Sequence, residues 1–356
     1  MRSVTNGRGV LKLAALGLAG ALALAACGSS SSGGTGGSAS GSPSASGSNV
    51  KVGMAYDIGG RGDKSFNDAA AAGLDKAKQD FGVQTKELSA VAGETDAQKE
   101  ARLELLAQGG YNPVIAVGFA YAAAVKNIVP KYPNTNFAII DDSSFQAPNL
   151  ANLVFAANES SYIVGVIAAK ASKTGTVGFI GGVNVPLLQS FQAGFDAGAK
   201  ATNPSIKVID KYLTQPPDFT GFNDAAKGQT TGQGMYDQGA DVVYAAAGGS
   251  GTGVFKAAKA SGKLAIGVDS DQYLTAGDLA PVVLTSALKR VDTATYDMIQ
   301  SFVEGKPLTG VQTFNLKNDG VGYSKSNPAV QPYEAAADAA EQQIISGAVT
   351  VPDKLG

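Results

Sequence analysis

Val50-Lys51-Val52-Gly53-Met54-Ala55-Tyr56-Asp57 opens a unit that the chain repeats. An apolar run ends in an acid, a Gly/Asp-rich bend follows at Gly59–Ser65, and an Ala-rich segment with helical spacing covers Asp68–Phe81. Similar apolar runs recur at Val114–Val117, Phe137–Ile140, Val177–Ile180, Val208–Tyr212, Val242–Ala246, Leu264–Val268 and Val282–Leu284. Between them lie helix-like segments such as Asp96–Ala107, Ala120–Val129, Tyr162–Lys170 and Val291–Val303. Alternation of this kind predicts an α/β fold of parallel sheets with helices on both faces. The runs are continuously rather than alternately apolar, as expected of strands buried on both sides.

Residues 49–356 are more than one core usually serves, so two sheets in two lobes are expected. The reading assigns 49–148 plus 269–308 to an N-terminal lobe and 149–268 plus 309–356 to a C-terminal lobe. The chain is expected to cross between them at Asn149–Ser161, near Asp269–Asp271 and near Pro307–Gly310.

The first 48 residues read differently. Arg2 and Arg8 precede an apolar run, Val10–Ala26, broken only by Lys12, and Leu24-Ala25-Ala26-Cys27-Gly28 closes it with small residues. A short apolar run behind positive charge predicts a secretory signal over residues 1–26 rather than a membrane span. From Gly28 to Ser48 only Gly, Ser, Thr, Ala and Pro occur, the composition of a flexible linker with an end-to-end distance of roughly 25 Å.

Composition excludes several chemistries. The chain has no His, so His-based triads, metal sites and proton relays are absent, and its one Cys cannot form an internal disulfide. The formal charge is −2. Residues 1–48 hold three basic side chains and no acid, so the remainder is more acidic still and nucleic acid is not the expected partner.

In open parallel sheets, ligands bind beyond the carboxyl ends of the strands. Those ends carry Asp57, Asp141 with Asp142, Gly248 through Gly251, Asp269, and Thr285, Ser286 and Lys289. A single Asp there is commonly a turn former or helix cap. Several acids converging from two lobes suit a hydroxyl-rich ligand, because each carboxylate accepts more than one hydrogen bond.

The tripeptide Phe-Asn-Asp occurs twice, at Phe66-Asn67-Asp68 and Phe222-Asn223-Asp224, each before an Ala-containing helix. Asn67 or Asp68, and Asn223 or Asp224, can serve as helix caps, and each Phe can staple the first turn. Alternatively, the two rings face one another across the cleft and clamp a flat aromatic ligand, with stacking worth roughly 1–3 kcal/mol per base.

Gly59-Gly60-Arg61-Gly62-Asp63-Lys64-Ser65 imitates a phosphate loop, but Asp63 stands where Gly should precede Lys-Ser and would repel phosphate. Gly249-Ser250-Gly251-Thr252-Gly253 has the wrong spacing for a dinucleotide fingerprint.

Longer motifs are more specific. They are Val52–Asp57 with Asp63-Lys64-Ser65-Phe66-Asn67, Asn136–Asp141, Gly178–Gly182, Phe191–Phe195, Tyr236–Asp241, Ala246–Gly249, Gly267–Gln272 and Thr285–Arg290. Together the chain resembles the basic membrane protein family of bacterial ABC-transporter substrate-binding lipoproteins, of the purine nucleoside receptor type. The resemblance covers nearly all of residues 49–356.

It implies a type I two-lobed periplasmic-binding-protein fold and a nucleoside-capturing, non-enzymatic role with no cofactor and no metal. It further implies lipidation of Cys27, which with residues 28–48 forms an anchored tether on the outer face of the cytoplasmic membrane. A monomer is expected, with an ABC permease and its cytoplasmic ATPase as partners.

By the same resemblance, Phe66 and Phe222 sandwich a base, with Phe219 and Phe191 as competitors for the second place. Asn67 and Asp141 bond the base edge, and Asp57, Gly248, Asp269 and Lys289 hold ribose. Asp142 and a Pro-rich loop at Gln215–Phe219 depart from the family pattern. Two other readings stay open: a receptor for a sugar or other small signal, and a surface hydrolase with calcium held by Asp57, Asp63, Asp141 and Asp269.

Overall fold

The computed structural model describes residues 49–356. The expected signal, Cys27 and the linker lie outside the described residues. Among the described residues no helix is long and apolar enough to cross a membrane.

The chain runs β1 (Lys51–Tyr56), α1 (Phe66–Phe81), β2 (Gln84–Ser89), α2 (Asp96–Gln108), β3 (Val114–Ala116), α3 (Ala122–Ile128), β4 (Phe137–Ile140) and β5 (Leu150–Phe155). It continues α4 (Ala157–Ala171), β6 (Thr176–Val183), α5 (Pro186–Thr202), β7 (Lys207–Thr214), α6 (Ala225–Asp237), β8 (Val242–Ala246) and α7 (Gly251–Ser261). The last part is β9 (Leu264–Asp269), α8 (Gln272–Thr275), β10 (Val283–Lys289), α9 (Val291–Val303), β11 (Gly310–Phe314), β12 (Val321–Tyr323) and α10 (Gln331–Ile345).

Two six-stranded sheets result, ordered β11-β5-β4-β3-β1-β2 and β12-β10-β9-β8-β6-β7. Every pairing is parallel except β10 with β12. The eight apolar runs all become strands, and their buried side chains form separate cores on the faces of each sheet. Strands β2, β5, β11 and β12 were not among the expected runs. β2 and β11 are edge strands, β2 with Leu88 as its one apolar residue and β11 with Val311 and Thr313 exposed, β12 has three residues, and β5 carries the buried Asn152 in its middle.

The lobe boundaries differ from those expected. β5 hydrogen-bonds to β4, so residues 150–155 belong to the first sheet, and the first crossing falls at Ala156, inside the expected Asn149–Ser161 segment. β10 pairs with β9 and β12, which places 283–289 in the second sheet rather than the first. The second crossing is therefore at Arg290, after which α9 packs on α1 of the first lobe. β11 pairs with β5, and the third crossing follows Phe314 rather than preceding Gly310. A short apolar run does not say which sheet will hydrogen-bond it, and that was the source of the difference.

The order β2-β1-β3-β4-β5 in the first sheet is repeated as β7-β6-β8-β9-β10 in the second. Asp141, after β4, and Asp269, ending β9, are thus equivalent positions in the two lobes. Both adopt left-handed backbone, φ 69° and 63°, which Asp tolerates better than most residues.

Candidate ligand-binding site

A cavity of about 60 Å³ lies between the carboxyl ends of the two sheets, where ligands of open parallel sheets bind. All eight residues expected at the site line it: Asp57, Phe66, Asn67 and Asp141 from the first lobe, and Phe222, Gly248, Asp269 and Lys289 from the second.

The bend after β1 is organised by Asp63. Its carboxylate accepts from the amides of Ser65 (2.9 Å), Asn67 (2.8 Å) and Asp68 (3.0 Å) and from Asn67 Nδ2 (3.0 Å). Asp63 therefore caps α1, in place of Asn67 or Asp68, while Asp68 accepts from the amides of Gly62 and Lys64 and ties the loop. This is why the phosphate-loop likeness has no phosphate chemistry behind it: the Asp fills the amide nest with its own carboxylate. Asn67 also donates to Ile58 O (3.3 Å), which leaves its Oδ1 buried and without a partner. In the second tripeptide Asp224 is the cap, accepting from Lys227 N at 2.9 Å.

Phe66, the first residue of α1, lies under the Lys289 ammonium, 4.7 Å from its ring centroid. The rings of Phe155 (5.1 Å) and Phe191 (5.7 Å) also surround that ammonium, a favourable arrangement for a desolvated cation. Lys289 is ion-paired across the lobes with Asp141, their side chains 3% and 4% exposed. The other Asp141 oxygen, Oδ1, is buried without a partner. Burial pushes the Asp141 carboxyl up, and the Lys289 charge pulls it back.

Asp269 accepts from Ser65 Oγ at 2.6 Å, also across the lobes. Burial raises its pKa to about 6 against the pull of Lys289. Asp57 accepts from the amide of Ile58 at 2.6 Å, and burial raises its pKa to about 6 as well. Gly248, φ 55°, turns the chain out of β8.

Phe222 lies on Gly182, where a Cβ would come within 2.4 Å of its ring, so only Gly at the end of β6 leaves room for it. Its aromatic neighbour from the first lobe is Phe119, edge-on at 6.4 Å. Phe119 was missed by the sequence reading; its signal was a strand-end position after Gly118, matching the position of Gly248 in the other lobe. Of the two competitors, Phe191 lines the cavity, whereas Phe219 packs on Phe119 at 5.8 Å and lines a neighbouring crevice. Leu187, Leu188 and Val268 add apolar wall.

The four acids of the calcium reading all line the cavity, but they do not form a coordination sphere. Asp63 is filled by amides, one oxygen of Asp141 is paired with Lys289, and no group of three or more Asp, Glu or Cys among the described residues is placed to hold a metal.

Two parallel-sheet lobes joined by three crossings, with a polar and aromatic slot at the facing strand ends, define a type I periplasmic binding protein. A solved solute-binding protein of an ABC transporter from Aeropyrum pernix superposes with a TM-score of 0.75 at 27% identity, covering 86% of this chain and 94% of that one. The chain belongs to the PnrA-like family of ABC transporter substrate-binding proteins, whose model matches residues 50–354.

Among its relatives is an ABC transporter nucleoside-binding protein, BmpA, of Lactococcus lactis, 36% identical over 328 residues, covering 86% of this chain and 90% of the relative. Basic membrane protein D of Borreliella burgdorferi is 35% identical over 305 residues, covering 82% and 85%.

Proposed function

We propose that this substrate-binding protein captures a purine nucleoside between its lobes and presents it to an ABC permease driven by a cytoplasmic ATPase. In the same reading an acylated Cys27 and the residue 28–48 linker hold it on the outer face of the membrane.

The observation that carries the reading is the pair of buried, unpartnered acceptors, Asn67 Oδ1 and Asp141 Oδ1, in a slot that also contains the rings of Phe66 and Phe222. An unpaired buried acceptor is costly, and a donor on the ligand relieves that cost. A flat heterocycle with N–H groups on its edge can do so while its faces meet the rings. Asp57 and Asp269 are the acceptors that suit the hydroxyls of a pentose. The nucleoside-binding name of the Lactococcus lactis relative points the same way. Contacts from both lobes form together only in the closed protein, so ligand shifts the population toward closure. No bond is made or broken in this cycle.

Calorimetry with guanosine, inosine, adenosine and ribose tests the reading. Micromolar or tighter binding of at least one nucleoside is expected, with ribose far weaker, no effect of a chelator, and no product formed. In the same series Phe66→Ala is expected to weaken the nucleoside at least tenfold, about 1.4 kcal/mol. Ribose binding as tightly as guanosine would move the reading to a sugar receptor, and release of free base would make it an enzyme.

A further inference from the structure

Among the described residues, Lys64 is the one long side chain of the four non-glycine residues with positive φ, at 56°. The other three are Asp, which tolerates that region far better. The turn is held from within its own lobe, where the Lys64 amide donates to Asp68 Oδ2 at 2.9 Å. Its result is that the Lys64 carbonyl points across to the other lobe.

There it accepts two hydrogen bonds, from Gln272 Nε2 at 2.8 Å and from Ser270 Oγ at 2.9 Å. Gln272 is 1% exposed, and its amide is fixed at the other end, where Oε1 accepts from Val268 N at 2.9 Å. Its own backbone amide donates to Ser286 Oγ at 3.1 Å. Gly267 makes the room, since a Cβ there would come within 2.6 Å of Gln272 Oε1. One residue along, Ser65 Oγ reaches Asp269 and, at 3.3 Å, Val268 O. Lys64, Ser270 and Gln272 do not line the slot.

We infer that Gln272, with Ser270, forms an interlobe clasp on the Lys64 carbonyl that sets the closing equilibrium independently of which ligand occupies the slot. Gln272 is a positioning residue. Its Oε1 bond keeps the amide aimed in either state, and its Nε2 bond exists only when the lobes meet. A backbone left in an uncommon conformation and rewarded by contacts that only the closed form offers is a means of biasing a two-state element. The clasp goes beyond the proposed function, because its effect does not depend on the ligand being a nucleoside.

The test is Gln272→Glu, read at alkaline pH where its carboxyl is ionised, which keeps the acceptor for Val268 N and removes the donor to Lys64 O, alongside the partly exposed Ser270→Ala. The opening distribution is read in the full chain without ligand, by energy transfer between one dye on each lobe. Both variants are expected to shift toward open, Gln272→Glu the more strongly. Dissociation of guanosine is expected to quicken by roughly 3- to 10-fold, the worth of one hydrogen bond.

Distributions that superpose on the unmodified protein would overturn the clasp. If Gln272→Glu fails to fold, Ser270→Ala alone decides by the same distance readout. Failure of guanosine to bind would count against the nucleoside reading and leave the distance measurement standing.

Discussion

At the scale of single residues, the slot spends folding stability on readiness to bind. Asp57 and Asp269 sit at about 6 where 3.8 is ordinary, and burial is the main cause of both. Two signs follow. For the ligand-free fold, a raised carboxyl contributes stability that is complete below the ordinary value and is lost as pH rises through about 6. Lowering the pH from 7 to 5 therefore favours the ligand-free fold through these groups.

In the proposed reading ligand binding runs the other way, because protonation removes acceptor capacity from the two carboxylates assigned to the ligand's hydroxyls. Nucleoside affinity measured by calorimetry is expected to fall between pH 7 and 5 while these two groups push the ligand-free melting temperature up. Asp57→Asn should flatten part of both slopes. An affinity profile identical to that of the unmodified protein would remove Asp57 from the binding set.

Sequence showed these acids at strand ends, and it showed the doubled Phe-Asn-Asp. It did not show that Asp63, the residue that spoils the phosphate-loop motif, is the cap of α1, because that role depends on the bend folding back on its own amides. Nor did it single out Phe119, whose importance comes from meeting Phe222 of the other lobe.

At the scale of elements, the helix faces explain where small residues are placed. α4 and α5 pack so closely that a Cβ at Gly198 would come within 2.0 Å of the Tyr162 carbonyl, and one at Gly194 within 2.2 Å of that of Asn158. Alanine is the better helix former by about 1 kcal/mol, yet Gly198→Ala is expected to destabilise, because the obstacle is backbone that cannot rotate aside. Overpacking of this kind costs about 1–3 kcal/mol or more, read as a lower thermal midpoint. A raised midpoint would mean that the two helices can part without loss.

The element boundaries were legible where burial was complete on both faces, as at β4 and β8, each of which matches its apolar run. They were not legible at the edges. β2 has no fully buried residue and β11 only Phe314, so neither shows a continuous apolar run, and each is a strand because a neighbouring strand supplies the hydrogen bonds.

At the scale of the whole molecule, two lobes exchange chain three times and meet at strand ends and at the Lys64 clasp. Closing on a ligand couples its binding to the stability of both lobes. A nucleoside at a hundred times its dissociation constant is expected to stabilise the fold by about 2.7 kcal/mol. The expected result is a concentration-dependent rise in melting temperature together with a smaller radius of gyration in solution scattering. A rise in melting temperature with no compaction would point to binding within one lobe.

The sequence by itself determined the class of fold, because buried strands and amphipathic helices are periodic properties of local residues. It also offered candidates that line the cavity, since strand-end acids and the two Phe-Asn-Asp copies can be read without knowing their neighbours. Only the tertiary structure decided which sheet took β5, β10 and β11, which Asp became a cap and which an open acceptor, and which carbonyl crossed between the lobes. Those outcomes depend on hydrogen bonds between residues up to about two hundred positions apart, such as Lys64 with Gln272, and no local pattern encodes a partner at that distance.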